Sequence, residues 1–239
     1  MFKLSDLKIK IFADGANIDD MLKAYKEGWV SGFTTNPTLM RQAGVMDYEA
    51  FARKVLSIIK DLPVSFEVFA DDFKTMEIEA KKIAAWGKNV YVKIPITNTK
   101  GESSISLIKK LNDEGLSLNI TAIMPLEQVE EVINAINPGI KNIISVFAGR
   151  IADTGRDPVP IMKKAVEICR KNPNAEVLWA SPRELLNIFH AEEAGCHIIT
   201  VLPDILKKLT IVGKDLKEYS LDTVRMFYND ALNAGYKIL

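Results

Sequence analysis

The sequence predicts an α/β chain folded as a single (β/α)8 TIM barrel over residues 1–239, and three observations predict it. Eight short, apolar, β-rich runs recur along the whole chain. Between them lie stretches whose apolar residues return at three- and four-residue steps, with charged residues on the opposite side. No linker or low-complexity segment divides the 239 residues, a length near the ~250 residues typical of that barrel. Strands alternating with helices argue for a parallel sheet, and runs apolar on both sides argue that both its faces are covered. An open doubly wound sheet is the alternative, but its usual fingerprint, GxGxxG after a strand, is missing.

The strand runs are, in order, KIKIFAD (8–14), GFTTN (32–36), VSFEVF (64–69), VYVKIPI (90–96), LSLNITAI (116–123), NIISVFAG (142–149), EVLWAS (176–181) and HIITVLP (197–203). Helical spacing is plain in 71–87, 126–136, 159–171 and 182–195, and glycine or proline marks many of the joins. After the eighth run come ILKKLTIVG and a longer helical stretch, 214–235. Its Leu221, Val224, Met226, Phe227 and Leu232 would either cap the barrel or pack on a neighbouring subunit.

Composition excludes several functions. The 31 Lys+Arg balance 31 Asp+Glu, so no overall field favours nucleic acid or an acidic membrane. The N-terminal MFKLSDLKIKIFAD lacks the apolar core of a signal peptide, and no stretch approaches the length of a membrane span. Two cysteines, Cys169 and Cys196, are too few for a disulfide framework and read as small buried hydrophobes. A cytoplasmic protein is expected. No CxxC or HExxH offers a metal site, and His190 and His197 read as structural.

Alternation along a strand divides each run into two faces. In the fourth run Val92, Ile94 and Ile96 suit packing beneath helices, which turns Tyr91, Lys93 and Pro95 inward. In the fifth, Leu118, Ile120 and Ala122 oppose Ser117, Asn119 and Thr121. In the third, Phe66 and Val68 oppose Ser65, Glu67 and Phe69. Asp14, Asn36, Ser145 and Ser181 stand near the C-terminal ends of other runs, and Arg150 and Arg183 lie just beyond two of them. Parallel strands would bring these ends to one face, where barrel enzymes place their chemistry.

Singly, each residue has a plain explanation: Lys93 paired to Glu67, or Asp14 and Asn36 capping helices. Together they are polar groups on inner faces that aliphatic residues would fill better. A lysine taken out of water is disfavoured in its charged form, and a neutral amine attacks carbonyl carbons to give a Schiff base. Carboxylates are then needed to move protons. Glu67 and Asp14 supply two, and Asp14, at a strand end, is expected to stay ionised. Arg150 and Arg183 would clamp an anion.

The stretches FADGANI, GFTTNPTL, VYVKIPIT, LNITAI, SVFAGRIAD, WASPRELLNI and AGCHIITVLP resemble, in order, the motifs of the transaldolase family, from about residue 9 to residue 205. The chain length is similar to that of the short subfamily that also contains fructose-6-phosphate aldolases. This resemblance implies a class I aldolase barrel needing no metal and no organic cofactor, and a place among the sugar phosphates of the pentose phosphate pathway. It makes Lys93 the Schiff-base lysine and Asp14 the acceptor of the hydroxyl proton. Glu67 with Thr121 would hold the water that shuttles protons. Asn36 and Asn119 would hold the hydroxyls of a dihydroxyacetone unit, Ser145, Phe147 and Ser181 would line the pocket, and Arg150 and Arg183 would bind phosphate.

Within the family, glutamate at position 67 and phenylalanine at 147 resemble transaldolases; the aldolases tend to glutamine and tyrosine there. The resemblance thus leans towards a transferase moving a dihydroxyacetone unit from a ketose phosphate, such as fructose 6-phosphate or sedoheptulose 7-phosphate, to an aldose phosphate. The alternatives are an aldolase or a transaldolase for a ketose with a different terminal anion, and a non-catalytic sugar-phosphate-binding barrel. Gly15, Val146 and Pro182 depart from the family's usual residues, and Pro182 could re-aim Arg183. The resemblance also implies a homo-oligomer, often a decamer, with partners limited to small sugar phosphates.

Overall fold

In the computed structural model, which describes residues 7–239, the eight runs form eight strands. They are β1 (Lys10–Asp14), β2 (Gly32–Thr34), β3 (Val64–Glu67), β4 (Val90–Pro95), β5 (Leu118–Ile123), β6 (Asn142–Val146), β7 (Ala175–Trp179) and β8 (Ile198–Val201). Each pairs in parallel with its sequence neighbour and β8 closes on β1, giving the (β/α)8 barrel. Residues 1–6, part of the N-terminal stretch read for a signal peptide, lie outside the described residues.

The helices are α1 (Ile18–Glu27), α2 (Pro37–Gln42), α3 (Tyr48–Ile58), α4 (Phe73–Ala84), α5 (Ile105–Asp113), α6 (Leu126–Ala135), α7 (Ala148–Asp153), α8 (Pro158–Cys169), α9 (Leu186–Glu193), α10 (Pro203–Leu206) and α11 (Leu216–Asn233). Asn17, Asn36, Asp47, Asp72, Asp157 and Asp215 cap their helices by accepting a backbone N–H two or three residues on. Each such cap is worth about 1 kcal/mol.

Most predicted runs extend past the strands they become, GFTTN, VSFEVF and EVLWAS by two residues each and VYVKIPI by one, and two further overshoots have a clear cause. The sixth strand stops at Val146, and the apolar residues after it begin α7. The eighth stops at Val201, because Pro203 has no N–H for the ladder and suits the first turn of α10. The segment read as helical from 182 becomes α9 only at Leu186: the Arg183 and Glu184 N–H groups are taken by the Asn187 side chain.

The core has two shells. Outward-facing Val92, Ile94, Ile120, Ile144, Val177 and Ile199 pack with the buried faces of the helices. Burying each such side chain contributes about 1.5–3 kcal/mol. Inside the barrel, Phe12, Ile143, Leu178, Ala180 and Ile198 form a separate plug, flanked by Tyr91 and Phe147. Gly32 makes room for it: a Cβ there would stand 2.5 Å from Cζ of Phe12. Above this plug the inner residues turn polar.

β5 breaks the predicted alternation. Its register with β6 shifts between Ile120 and Ile123, and Ala122 adopts a φ of 62°. This bulge inserts one residue, so Ala122 is exposed instead of packing under helices, and the fully buried Ile123 regains the outer face. Outside the barrel, α11 has no buried residue. Leu221, Val224, Met226, Phe227 and Leu232 are all exposed along it, so α11 does not cap the barrel. His197 serves the sheet, its Nδ1 accepting the Val177 N–H at 3.0 Å. Among the described residues no helix is long and apolar enough to cross a membrane.

Candidate active site

At the C-terminal ends of the strands lies a cavity of about 490 Å3. Every residue singled out for chemistry lines it: Lys93, Asp14, Glu67, Thr121, Asn36, Asn119, Ser145, Phe147, Arg150, Ser181 and Arg183. A more apolar cavity of about 620 Å3 adjoins it through Asp14, Leu39, Gln42 and Leu202.

The inward side chains form one polar layer above the plug. Lys93 and Glu67 are register partners on β4 and β3. Lys93 Nζ lies 3.1 Å from Glu67 Oε2 and donates to the Thr35 carbonyl at 3.1 Å. The plain pairing considered for Lys93 therefore exists, but it exists at the cavity wall. One register step on, Asn119 is locked at both ends of its amide. It donates to Ser65 Oγ at 3.0 Å and accepts from Ser145 Oγ at 2.6 Å. Thr121 is buried, and its hydroxyl has no hydrogen-bond partner among the described residues. That makes it available to a molecule in the cavity.

Asp14 accepts a hydrogen bond from Thr34 Oγ1 at 2.9 Å, and Thr34 in turn contacts the Thr200 hydroxyl. Burial raises the Asp14 pKa above the ordinary 3.8; the Lys93 charge and the Thr34 hydrogen bond pull it back, the Glu67 charge adds to the rise, and Asn36 lowers it slightly. The net direction is a rise. Desolvation outweighs the neighbouring cation. Asn36 also caps α2 by accepting the Leu39 N–H at 3.0 Å, so capping and facing Asp14 coexist in one side chain.

The far wall is made by α7 and the loop after β7. Ser181 adopts a φ of 62°, and Gly149 lies against it so closely that a Cβ would stand 1.6 Å from the Ser181 carbonyl oxygen. Phe147 is held by its N–H to the Ile123 carbonyl at 2.8 Å. Arg150, on α7, is exposed and makes no hydrogen bond or ion pair among the described residues. Arg183 differs. Its guanidinium grips Asp153 with two hydrogen bonds, one from Nε at 2.9 Å and one from Nη2. The Arg183 hydrogen bond also holds the Asp153 carboxyl below its usual range. Asp153 is thus an internal partner for one of the two arginines read as an anion clamp.

Sequence reading missed Thr34 and Thr200 as members of the layer, and placed Ser65 beside Glu67 on the inner face without giving it a part. The alternation that found Lys93 would have found the first two, because Thr34 and Thr200 share the inner face with Asp14 on neighbouring strands. Asp153 and Tyr48 carried no comparable signal.

Residues 11–238 match the family model described as transaldolase/fructose-6-phosphate aldolase. A protein of Dehalococcoides mccartyi named probable transaldolase is 33% identical over 202 residues, covering 84% of this chain and 90% of that protein. One of the same name from Clostridium acetobutylicum is 32% identical over 226 residues, covering 94% of this chain and all (100%) of that protein. Among solved structures, dihydrodipicolinate synthase from Rhodopseudomonas palustris superposes with a TM-score of 0.50 at 15% identity, covering 95% of this chain and 80% of that one. At that identity the likeness concerns the barrel alone.

Proposed function

The chain belongs to the transaldolase/fructose-6-phosphate aldolase family, and we propose that within it this protein is a transaldolase working through a Schiff base on Lys93. The observation that carries the proposal is one lysine, buried at the cavity wall, with a carboxylate at 3.1 Å and a second, raised carboxylate in the same layer. Glu67 takes a proton from the Lys93 ammonium, and the neutral amine attacks the ketone carbon of a ketose phosphate. Loss of that oxygen as water, with Glu67 and Thr121 moving protons, leaves an iminium. Asp14 then accepts the proton of the hydroxyl beyond the bond to be cut. The carbon–carbon electron pair flows into the iminium, an aldose phosphate leaves, and the three-carbon enamine stays on Lys93. An acceptor aldose phosphate reverses the steps: the enamine carbon bonds to its carbonyl carbon, Asp14 returns the proton, and water releases the new ketose.

The raised Asp14 pKa suits a group that both takes and returns a proton. Asn36, Asn119, Ser145 and Ser181 hold the hydroxyls of the retained unit, and the unpaired Arg150 leads in binding the terminal phosphate. Phe147 has no proton to give the enamine, which favours transfer over release of free dihydroxyacetone. The engagement of Arg183 by Asp153 favours a second reading: an aldolase or transaldolase for a ketose whose terminal group is not phosphate. We also read the chain as a homo-oligomer in which the exposed face of α11 meets a neighbouring subunit. Its two cysteines are free, and burial pushes each thiol up to about 12, which fits a cytoplasmic enzyme.

Borohydride trapping with fructose 6-phosphate, followed by peptide mass spectrometry, tests the proposal. A reduced three-carbon adduct on Lys93, formed only with substrate, is expected. Silence with fructose 6-phosphate and an adduct with concentrated dihydroxyacetone would move the assignment to another ketose. Silence with both would leave a non-catalytic barrel with a structural Lys93–Glu67 pair.

A further inference from the structure

The ladder between β2 and β3 stops short of Glu67. Phe33 pairs with Val64 and Thr34 with Ser65, and the Thr35 N–H still reaches the Ser65 carbonyl at 3.2 Å. In a continued parallel ladder the next bond would run from the Glu67 N–H to the Thr35 carbonyl. Here the Thr35 carbonyl accepts from Lys93 Nζ. The Glu67 N–H donates elsewhere, to the hydroxyl of Tyr48 at 2.7 Å, and the same hydroxyl donates to the Glu67 carbonyl at 3.0 Å.

Tyr48 is the first residue of α3. One phenol thereby serves the N–H that β2 would have served and the carbonyl whose ladder partner would be position 37, a proline with no N–H to give. Its ring is fixed edge-on to Phe66 and Trp86, with centroids 6.0 and 5.4 Å away, and tilted against Phe69 at 4.6 Å. Burial raises the phenol's pKa, so its proton is retained and remains available for donation.

We propose that Tyr48 is a positioning residue for the reaction: by standing in for the missing β2 partner, it holds the Glu67 backbone in place and leaves the Thr35 carbonyl free for Lys93. This rests on the aldolase reading of Lys93 and Glu67. Without the hydroxyl, two backbone groups at the end of β3 lose their partner. The Thr35 carbonyl is the partner a continued ladder would give the N–H, and taking it would cost Lys93 one of its two contacts. Glu67 and Lys93 would both shift, although Tyr48 is not itself among the residues that line the cavity.

Tyr48→Phe keeps the ring packing and deletes only the hydroxyl. Adduct formation with dihydroxyacetone on Lys93 should slow about ten-fold. In a Glu67→Gln background the same change should slow the rate less than about three-fold, since the part of the effect carried by that carboxylate is already gone and only the Thr35 contact of Lys93 is left to lose. An equal loss in both backgrounds, or none in either, overturns the proposal. Amide exchange supplies a readout independent of turnover. The peptide carrying Glu67 and Val68 should exchange about ten-fold faster in the variant. Unchanged protection there overturns the proposal whether or not the chain is active. A wild-type protein that forms no adduct overturns the aldolase reading instead, and exchange at Glu67 then decides on Tyr48 by itself.

Discussion

Glu67 and Lys93 are register partners on adjacent strands, and their side chains turn to the same side of the barrel, Oε2 lying 3.1 Å from Nζ. An ion pair this enclosed is stable only while both partners remain. Breaking such a pair leaves an uncompensated charge, whereas replacing both members is far milder. Lys93→Met should therefore abolish the trapped adduct and lower unfolding stability by roughly 1–3 kcal/mol, less than for a fully buried pair because the cavity admits solvent. The double variant Lys93→Met with Glu67→Gln should recover most of that stability and none of the activity. Urea unfolding of the three proteins checks the expectation. Equal stabilities would mean the pair is already solvated and the lysine less confined than its burial indicates.

Asp14 is expected to cost stability at neutral pH. Its pKa in the folded protein is raised above 3.8, mainly by burial, so between that value and the folded pKa the native state binds more protons than the unfolded one. Stability then falls as pH rises through this window and levels off above it. Asp14→Asn removes the titration. The variant should lose carbon–carbon bond cleavage, unfold at a higher temperature than the wild type at pH 7, and show no such gain once the pH is below 3.8. Melting curves at both pH values read this directly. A variant less stable at pH 7 would mean the hydrogen bonds from Thr34 and Asn36 outweigh desolvation.

How much of this was legible in the sequence follows from what each residue does. Lys93 and Asn119 stood out because parallel strands buried on both faces are nearly all apolar, so a polar residue there is conspicuous. The bulge in β5 gave no warning, since alanine, not glycine, takes the positive φ at position 122. The end of β6 was hidden because Phe147 and Ala148 are as apolar as the strand before them. The Arg183–Asp153 grip and the Tyr48–Glu67 contact join elements 30 and 19 residues apart. No local periodicity reports on such pairs; they exist only once the barrel has closed.

The two arginines should separate in kinetics. Arg150 makes no hydrogen bond or ion pair among the described residues and only adds its charge to the field on Asp153, whereas Arg183 must share its guanidinium with Asp153. Arg150→Ala is expected to raise KM for a phosphorylated ketose about ten-fold or more, with adduct formation from unphosphorylated dihydroxyacetone unchanged. Asp153→Asn should act in the opposite direction, lowering that KM by releasing Arg183. If Arg150→Ala slows both substrates equally, the arginine supports the wall and not the anion.

Gly149 fixes how close α7 comes to the loop after β7. An alanine Cβ would lie 1.6 Å from the Ser181 carbonyl oxygen, and that atom is backbone, so no side-chain rotation relieves the contact. Ser181 is itself held at positive φ, a conformation that already costs of order 1–3 kcal/mol in a residue with a Cβ. Gly149→Ala must therefore push α7 outward, carrying Phe147 and Arg150 with it. The expected result is a loss of roughly 2 kcal/mol or more in stability, together with a raised KM for phosphorylated donors. Adduct formation on Lys93 from dihydroxyacetone should survive, since Glu67 and Lys93 sit on β3 and β4, which have no bond to α7. Losing the adduct as well would show that the far wall also sets the position of Lys93.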